Sequence, residues 1–152
     1  EIVHVDASKK IVGHAKTNIE INNFQNKKVR FIIEDVIKFV LREVRRERKY
    51  DVIIMDPPSY GRGPNGEVWK FEDNIYNLII SCMKILSDKP LFMLINSYTT
   101  GISSTVLENI LKITVLKKFS NGKVTAGEVG LPISNNNLVL PCGIYGRFDI
   151  DD

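Results

Sequence analysis

The chain has few of the residues that mark disulfide-rich, metal-binding or membrane-spanning proteins. Only two of its 152 residues are cysteines, Cys82 and Cys142, and only two are histidines. Two distant cysteines without a pairing pattern argue against a disulfide framework and against a zinc site. The longest apolar stretches are far shorter than the roughly 20 residues that a transmembrane helix needs, and no signal peptide is visible. We therefore expect a cytoplasmic protein without a metal ion or a membrane partner.

The composition is typical of one globular domain. Hydrophobic residues make up 43% of the chain and charged residues 26%, which is enough apolar material for a single core. The net charge of +3 permits an anionic partner but does not require one. The first residues, EIVHVDAS, already have a strand pattern and no methionine. This start predicts that residues 1–152 form a single, N-terminally truncated domain.

Short apolar strands alternate with amphipathic helices along most of the chain. Strands are predicted in IVHVD, KVRFII, YDVIIM and PLFMLIN. Helices are predicted in SKKIVGHAKTNIEINNF, with Ser8 as the N-cap, in DVIKFVLREVRRERK, over about residues 72–87, and in SSTVLENILKI. The strand YDVIIM is nearly all apolar, which predicts burial on both faces. In the second helix, apolar residues share one face, and the Arg and Glu residues are expected on the opposite, solvated face.

The C-terminal part follows a different pattern. Residues 123–130 and 138–148 lack helical periodicity and are bridged by PISNNN, which predicts a β-hairpin. Strands that alternate with helices pair in parallel, with helices on both faces of the sheet. The predicted fold class is therefore α/β, a doubly wound and mostly parallel sheet with an antiparallel hairpin at its C-terminal edge.

Polar side chains, most of them acidic or amide, follow the predicted parallel strands. They are Asp6, Glu34 with Asp35, Asp56, and Asn96 with Ser97. Ligands of open α/β sheets bind at the carboxyl ends of the strands. Carboxylates and amides there suit ribose hydroxyls and amines, so the set favours a nucleoside-containing ligand. For Asp35 alone, a cap on the following helix is an equally good explanation.

The stretch DPPSY, residues 56–60, ends the third strand in a rigid turn. Pro57 and Pro58 fix φ at about −65° and donate no backbone hydrogen bond. We therefore expect the carbonyls of this turn to be unpaired and available to an amino group. Asp56 adds a charge, and Tyr60 adds a ring on which a base can stack, an interaction worth about 1–3 kcal/mol per base. The alternative is a Pro-Pro turn that only ends the strand, with Tyr60 as packing.

This acid, two prolines and an aromatic residue resemble motif IV of the class I S-adenosylmethionine-dependent methyltransferases, which have a Rossmann-like fold. The longer string DPPSYGRGPNGEVWKFE, with HVDAS upstream and GEVGLP and LPCGIYGRF downstream, is similar to one bacterial family. That family includes the RlmI-like large-subunit ribosomal RNA methyltransferases of the cytosine-5 type. The resemblance covers essentially the whole chain. It implies S-adenosylmethionine as the cofactor and RNA, specifically ribosomal RNA, as the partner.

The resemblance also implies roles for individual residues. Asp6 matches the acid that binds the cofactor ribose, and Asp35 matches the adenine contact, with Val36 or Ile33 packing on the ring. The implied cofactor-binding residues are Asp6, Ala7, Glu34, Asp35, Val36, Asp56 and Asn96. The implied catalytic residues are those of motif IV, Asp56, Pro57, Pro58 and Tyr60.

Basic and aromatic residues after motif IV predict where a substrate binds. Tyr60, Arg62, Trp69 and Lys70 are of the types that meet a splayed RNA base and its phosphate. An equally weighted alternative is that Trp69 and Phe71 hold the loop against the next helix.

Two features of this sequence differ from the sequence pattern of that family. Its glycine-rich loop, together with the strand before it, is absent and would precede Glu1. Cytosine-5 transfer also needs a cysteine thiolate near the strand ends, whereas Cys82 falls in a predicted helix and Cys142 in the last strand, where both are expected to pack. We therefore predict methyl transfer to a nitrogen or another heteroatom, without a covalent cysteine intermediate.

Two other classes of function stay open at this point. A non-catalytic RNA-binding or assembly module could keep the fold and lack the glycine-rich loop. A nicotinamide-dependent oxidoreductase could use Asp6 to hold a ribose, although neither DPPSY nor the terminal hairpin is expected in that class.

Overall fold

The computed structural model describes residues 1–62 and 66–150. Residues 63–65, which belong to the DPPSYGRGPNGEVWKFE string, therefore lie outside the described residues. The chain divides into two compact units, Glu1–Glu47 and Arg48–Asp152. The first unit contains β1 (Ile2–Asp6), α1 (Lys9–Ile21), β2 (Val29–Ile33) and α2 (Val36–Arg45).

The first unit is built on a parallel pair of strands. β1 and β2 pair in register, with Asp6 opposite Ile33, so both strands end at the same edge. The helix that follows each strand begins at a capping side chain. Ser8 accepts a hydrogen bond from the Ile11 N–H at 3.4 Å, and Asp35 accepts one from the Lys38 N–H at 3.0 Å. Ser8 is therefore the N-cap of α1, as predicted. The alternative in which Asp35 caps α2 is also confirmed.

Helix α2 differs from the prediction on its polar face. Phe39 and Val40 are buried as expected, but Glu43 is also buried, with 1% of its surface exposed. Arg42 and Arg46 approach the Glu43 carboxylate at 3.8 and 3.5 Å. A carboxylate can be buried where guanidinium groups compensate its charge. The prediction that every Glu of this helix faces solvent is therefore wrong.

The second unit contains a four-stranded mixed sheet, a short hairpin and two helices. Its elements are β3 (Val52–Met55), β4 (Tyr60–Arg62), β5 (Val68–Lys70), α3 (Phe71–Met83), β6 (Phe92–Ser97), α4 (Ser104–Lys118), β7 (Gly122–Pro132) and β8 (Val139–Ile150). The strand order is β3-β6-β8-β7, in which β3 and β6 are parallel and β8 is antiparallel to both of its neighbours. The predicted C-terminal hairpin is confirmed.

The core of the second unit lies between this sheet and its helices. On α4, Leu107, Leu111 and Val115 are fully buried and recur every four residues, which places them on one face. Phe148 on β8 is also fully buried, and its ring lies 5.8 Å from that of Phe119. This core holds β6 in the middle of the sheet and fixes where its carboxyl end emerges.

Two details of the second unit were predicted wrongly. The side chains of β6 are all buried or half-buried, but β3 lies at the edge of the described sheet, and Ile54 is 62% exposed. Burial on both faces is therefore wrong for β3, because one face of this edge strand is uncovered. The stretch from Tyr60 to Lys70 was predicted as a loop, yet it contains the β4–β5 hairpin. Strands of three residues are too short for an alternating pattern to show.

Candidate functional site

In the first unit, the carboxyl ends of β1 and β2 bring two predicted cofactor residues together. The Glu34 N–H donates a hydrogen bond to the Asp6 carbonyl at 3.1 Å. The Asp6 side chain accepts one from the Ser8 N–H at 2.6 Å through Oδ1. Among residues 1–62 and 66–150, no group donates to Oδ2 of Asp6, so that oxygen can accept a hydrogen bond from a ribose hydroxyl. Ala7, next to it, is exposed.

Two other acids at this edge already have partners within the unit. Glu34 accepts a hydrogen bond from Arg42 Nη1 at 2.6 Å, and Asp35 caps α2. Both oxygens of Glu34 lie against Arg42 Nη1, with Oε2 at 2.5 Å, whereas Asp35 keeps a second oxygen that can accept a hydrogen bond from a ligand. The roles of Glu34 and Asp35 in cofactor binding stay predictions.

The same edge exposes apolar surface beside the acids. Ile33 is 53% exposed and Val36 is 38% exposed. A flat ring that covered them would remove apolar area from water, which is worth about 25 cal/mol per Å². A hydroxyl acceptor next to an apolar surface fits the adenosine half of S-adenosylmethionine, so the residues present are compatible with that cofactor.

In the second unit, the ends of β3 and β6 bring Asp56 and Asn96 to one edge. Met55 is opposite Ile95 in the parallel register, and the two polar residues follow directly. Asp56 is exposed, and within the described part of the chain its carboxylate has no hydrogen-bond or ion-pair partner. Asn96 is half-buried. Asp56 and Asn96 therefore lie at neighbouring strand ends, as the sequence predicts.

A residue of β5 and the first residue of α3 donate hydrogen bonds to the DPPSY turn. The Trp69 indole N–H donates to the Pro58 carbonyl at 2.6 Å, and the Phe71 N–H donates to the Ser59 carbonyl at 3.0 Å. The expectation that the carbonyls of this turn are unpaired is wrong for these two, because β5 and the start of α3 reach them. No described residue donates to the Pro57 carbonyl, which is therefore available to a ligand.

The predicted substrate residues lie on the hairpin. Tyr60 is 51% exposed, and its hydroxyl accepts a hydrogen bond from Arg62 Nε at 2.7 Å. Lys70 is exposed, whereas Trp69 is half-buried and bonded to the turn. The geometry of Trp69 is that expected if it holds the loop in place. Substrate contact by these four residues stays a prediction.

A cleft beside the turn was missed by sequence reasoning. It has a volume of about 370 Å³ and is lined by Ser59, Glu72, Thr99, Thr100, Gly101 and Ile102. The Thr99 hydroxyl donates to the Ser59 hydroxyl at 2.9 Å, which joins the loops after β3 and β6. The lining comes from three separate segments, so no local pattern marks it. The polar run NSYTTG after an apolar strand is the sequence signal that points to this loop.

The two cysteines differ in burial and in their distance from the candidate edge. Cys82 lies in α3 and is 3% exposed, and burial raises the pKa of its thiol to about 12. Cys142 is half-buried on β8, with its sulfur 3.3 Å from the Leu140 carbonyl. It precedes Ile144 by two residues, and Ile144 is opposite Ser97 at the end of β6. Cys142 is therefore the cysteine nearer to the candidate edge.

Across residues 1–62 and 66–150, no three His, Cys, Asp or Glu side chains cluster as metal ligands would. No helix in the described ranges is both long and apolar enough to cross a membrane.

Most of the chain matches the model of one known protein family. Residues 1–120 match the model of the spermine/spermidine synthase domain family. The chain belongs to this family. The match includes both groups of candidate residues, the strand ends of the first unit and the DPPSY turn of the second.

Among solved structures, a SAM-dependent methyltransferase from Agrobacterium tumefaciens is similar over 99% of this chain and 49% of its own, with 32% identity and a TM-score of 0.88. A methyltransferase solved in complex with S-adenosylhomocysteine is similar over 96% of this chain and 38% of its own, with 21% identity and a TM-score of 0.68. These similarities confirm the predicted α/β fold of the Rossmann-like methyltransferase type.

Among curated proteins, the ribosomal RNA large subunit methyltransferase I of Citrobacter koseri is 38% identical over 60 residues, which are 40% of this chain and 15% of that protein. The predicted resemblance to this group of methyltransferases is confirmed. The chain spans about half the length of the Agrobacterium protein and a smaller share of the Citrobacter protein.

Proposed function

We propose that this chain is part of an S-adenosylmethionine-dependent methyltransferase that modifies a base in ribosomal RNA. The observation that supports this proposal most is the rigid DPPSY turn, with Asp56 beside Asn96 at one edge of the sheet. The chain is also 32% identical over 99% of its length to a SAM-dependent methyltransferase. The name of the Citrobacter relative supports ribosomal RNA as the substrate. The cytoplasmic setting and the single domain over residues 1–152 remain predictions.

The residues of the turn suit the transfer step. S-adenosylmethionine supplies a methyl group that its sulfonium already activates, so the protein mainly has to position the acceptor. The Asp56 carboxylate and the Pro57 carbonyl offer two acceptors for the N–H groups of an amine. The two prolines fix the backbone of the turn before any substrate binds, and the exposed Tyr60 ring is available for stacking.

We propose a nitrogen or another heteroatom as the methyl acceptor. A ring-carbon acceptor needs a thiolate to attack the base, and a thiol whose pKa is about 12, such as that of Cys82, is protonated at neutral pH. An amine or ring nitrogen carries its own lone pair and needs no covalent intermediate. The supporting features are therefore the hydrogen-bond acceptors at Asp56 and Pro57 and the burial of Cys82.

A second candidate follows from the family description, which names polyamine synthesis. The carbonyl and carboxylate acceptors of the turn also suit an aliphatic amine. Transfer of the aminopropyl group of decarboxylated S-adenosylmethionine to putrescine by the full-length protein, giving spermidine and methylthioadenosine without methyl transfer to RNA, would favour this candidate.

Replacement of Asp56 tests the proposed function. In the full-length protein, Asp56→Ala should reduce methyl transfer from labelled S-adenosylmethionine to protein-free ribosomal RNA by about 100-fold or more. RNA affinity should remain, because the turn and hairpin are retained. Asp88→Ala is the matched control, since the Asp88 side chain is 90% exposed. Wild-type transfer by Asp56→Ala contradicts the proposal, and RNA binding without any transfer by the wild-type protein favours a non-catalytic module.

A further inference from the structure

The cleft beside the DPPSY turn has the size and position of a substrate pocket. Its volume of about 370 Å³ falls in the range of small-molecule sites, which is roughly 300–1,000 Å³. One wall is the end of the DPPSY turn at Ser59, and the other is the loop after β6 from Thr99 to Ile102. Open α/β sheets bind ligands outside the carboxyl ends of their strands, and this cleft lies between two such ends.

Glu72 is fixed at this cleft by the residue before it. Phe71 is fully buried, and its N–H donates to the Ser59 carbonyl at 3.0 Å, so the start of α3 is anchored to the turn. Glu72 therefore emerges beside Ser59, in the first turn of the helix, where the helix dipole favours a carboxylate. Its side chain is exposed, and none of the residues that the structure describes pairs with it.

The chemistry of the lining selects an N–H donor over an anion. Besides Glu72, the polar groups are the hydroxyls of Ser59, Thr99 and Thr100, and the first two already bond to each other. Among the residues that the structure describes, no Lys or Arg lines the cleft, so a phosphate would meet a carboxylate without a compensating cation. Carboxylates accept hydrogen bonds from exocyclic base amines, as in readout of the cytosine amine.

An exposed aromatic residue is adjacent in sequence to the loop that lines the cleft. Tyr98 directly precedes Thr99 and is 56% exposed. Its position is set by close packing against Gly143 of β8, where a Cβ would lie 2.9 Å from Tyr98 Cδ1 and 2.5 Å from the Ser97 carbonyl oxygen. Single-stranded RNA bases are recognised by stacking on aromatic rings, combined with hydrogen bonds to their edges.

We infer that this cleft binds the target base and that Glu72 accepts a hydrogen bond from its exocyclic amine. The inference rests on the proposed function and narrows it: the substrate base is adenine, cytosine or guanine, and uracil, which has no amine, is excluded. Glu72 is a specificity-determining residue, and Tyr98 stacks on the base.

Three variants of the full-length protein test the inference. Glu72→Ala removes the acceptor, Glu72→Gln restores a weaker one, and Asp73→Ala removes the neighbouring acid of the same helix turn. Methyl transfer from labelled S-adenosylmethionine to protein-free ribosomal RNA is measured for each, and S-adenosylhomocysteine affinity is measured by calorimetry. Nuclease digestion of the RNA identifies the methylated nucleoside.

The expected result separates substrate binding from cofactor binding. Glu72→Ala should lower kcat/KM for RNA by about 10- to 100-fold, the range for loss of a hydrogen bond to a charged group, while Glu72→Gln recovers part of it. Asp73→Ala should match the wild type, S-adenosylhomocysteine affinity should be unchanged in all three, and the methylated nucleoside should carry an amino group.

Other outcomes overturn the inference. Wild-type kcat/KM in Glu72→Ala, an equal loss in Asp73→Ala, or a methylated uridine would each exclude the assigned role. Weakened S-adenosylhomocysteine binding in Glu72→Ala would assign Glu72 to the cofactor instead. Absence of both cofactor binding and transfer in the wild-type protein would instead refute the proposed function, and this inference with it.

Discussion

At the scale of single residues, the acids at the strand ends have local contacts that are compatible with binding. Asp6 accepts a hydrogen bond from the Ser8 N–H through one oxygen, and Asp35 caps α2 in the same way. A carboxylate has two oxygens and about four lone-pair sites, so one local bond leaves capacity for a ligand. Asp35 can therefore cap α2 and accept a hydrogen bond from a ligand at the same time.

The two cysteines provide a prediction at this scale. If the methyl acceptor is a heteroatom, the variant with both Cys82→Ala and Cys142→Ala should keep wild-type transfer to RNA, because no thiolate takes part. Cys142→Ala alone is the more informative change, since Cys142 is the cysteine nearer to the end of β6. Cys82→Ala alone serves as the control for loss of buried volume in α3.

The opposite result for Cys142→Ala would identify a covalent route. Loss of transfer with S-adenosylhomocysteine affinity unchanged, and with Cys82→Ala fully active, would contradict a heteroatom acceptor. It would instead support attack on a ring carbon by the Cys142 thiolate.

At the scale of elements, the strong periodic segments were predictable and the short ones were not. The apolar runs of β1, β2 and β6 and the capping residue Ser8 follow from local patterns. The β4–β5 hairpin does not, because strands of three residues are too short to show an alternating pattern. The cleft that contains Glu72 was missed for a different reason, since its lining residues meet only after folding.

Burial of Glu43 illustrates a second limit of local patterns. Helical spacing assigns this residue to a face, but whether a charge on that face is buried depends on partners. Here Arg42 on the same helix and Arg46 at its C-cap lie close enough to compensate it. A binary polar and apolar pattern contains no information about such pairing.

The close pairing of β8 with the end of β6 gives a prediction at this scale. Gly143 has φ of +144°, and a Cβ there would lie 2.5 Å from the Ser97 carbonyl oxygen. Gly143→Ala should therefore destabilise the protein by about 1–3 kcal/mol, seen as a lower midpoint of thermal unfolding. It should also disturb Tyr98 and reduce transfer to RNA.

Gly13→Ala is the matched control for that substitution. Gly13 lies within α1, and a Cβ there meets nothing within 4 Å. Because alanine is the better helix former by about 0.5–1 kcal/mol, this variant should be at least as stable as the wild type. A Gly143→Ala variant as stable as Gly13→Ala would show that the close approach of β8 to Ser97 is not present in solution.

At the scale of the whole molecule, the candidate residues fall in two compact units, and the chain spans 49% of the Agrobacterium protein. The adenosine-compatible edge belongs to the first unit, and the DPPSY turn and the cleft belong to the second. Activity is therefore a property to be measured on the full-length protein. If Asp6 binds a ribose as proposed, both S-adenosylmethionine and NAD fit that contact, and these two ligands differ only beyond the adenosine.

The most direct measurement is calorimetric titration of the full-length protein with S-adenosylhomocysteine, with NAD as the control ligand. We predict a single-site isotherm with micromolar affinity for S-adenosylhomocysteine and no heat of binding for NAD. Binding of NAD alone would contradict the methyltransferase assignment and favour an oxidoreductase. Binding of neither ligand would also contradict it and would favour a module that recognises RNA without modifying it.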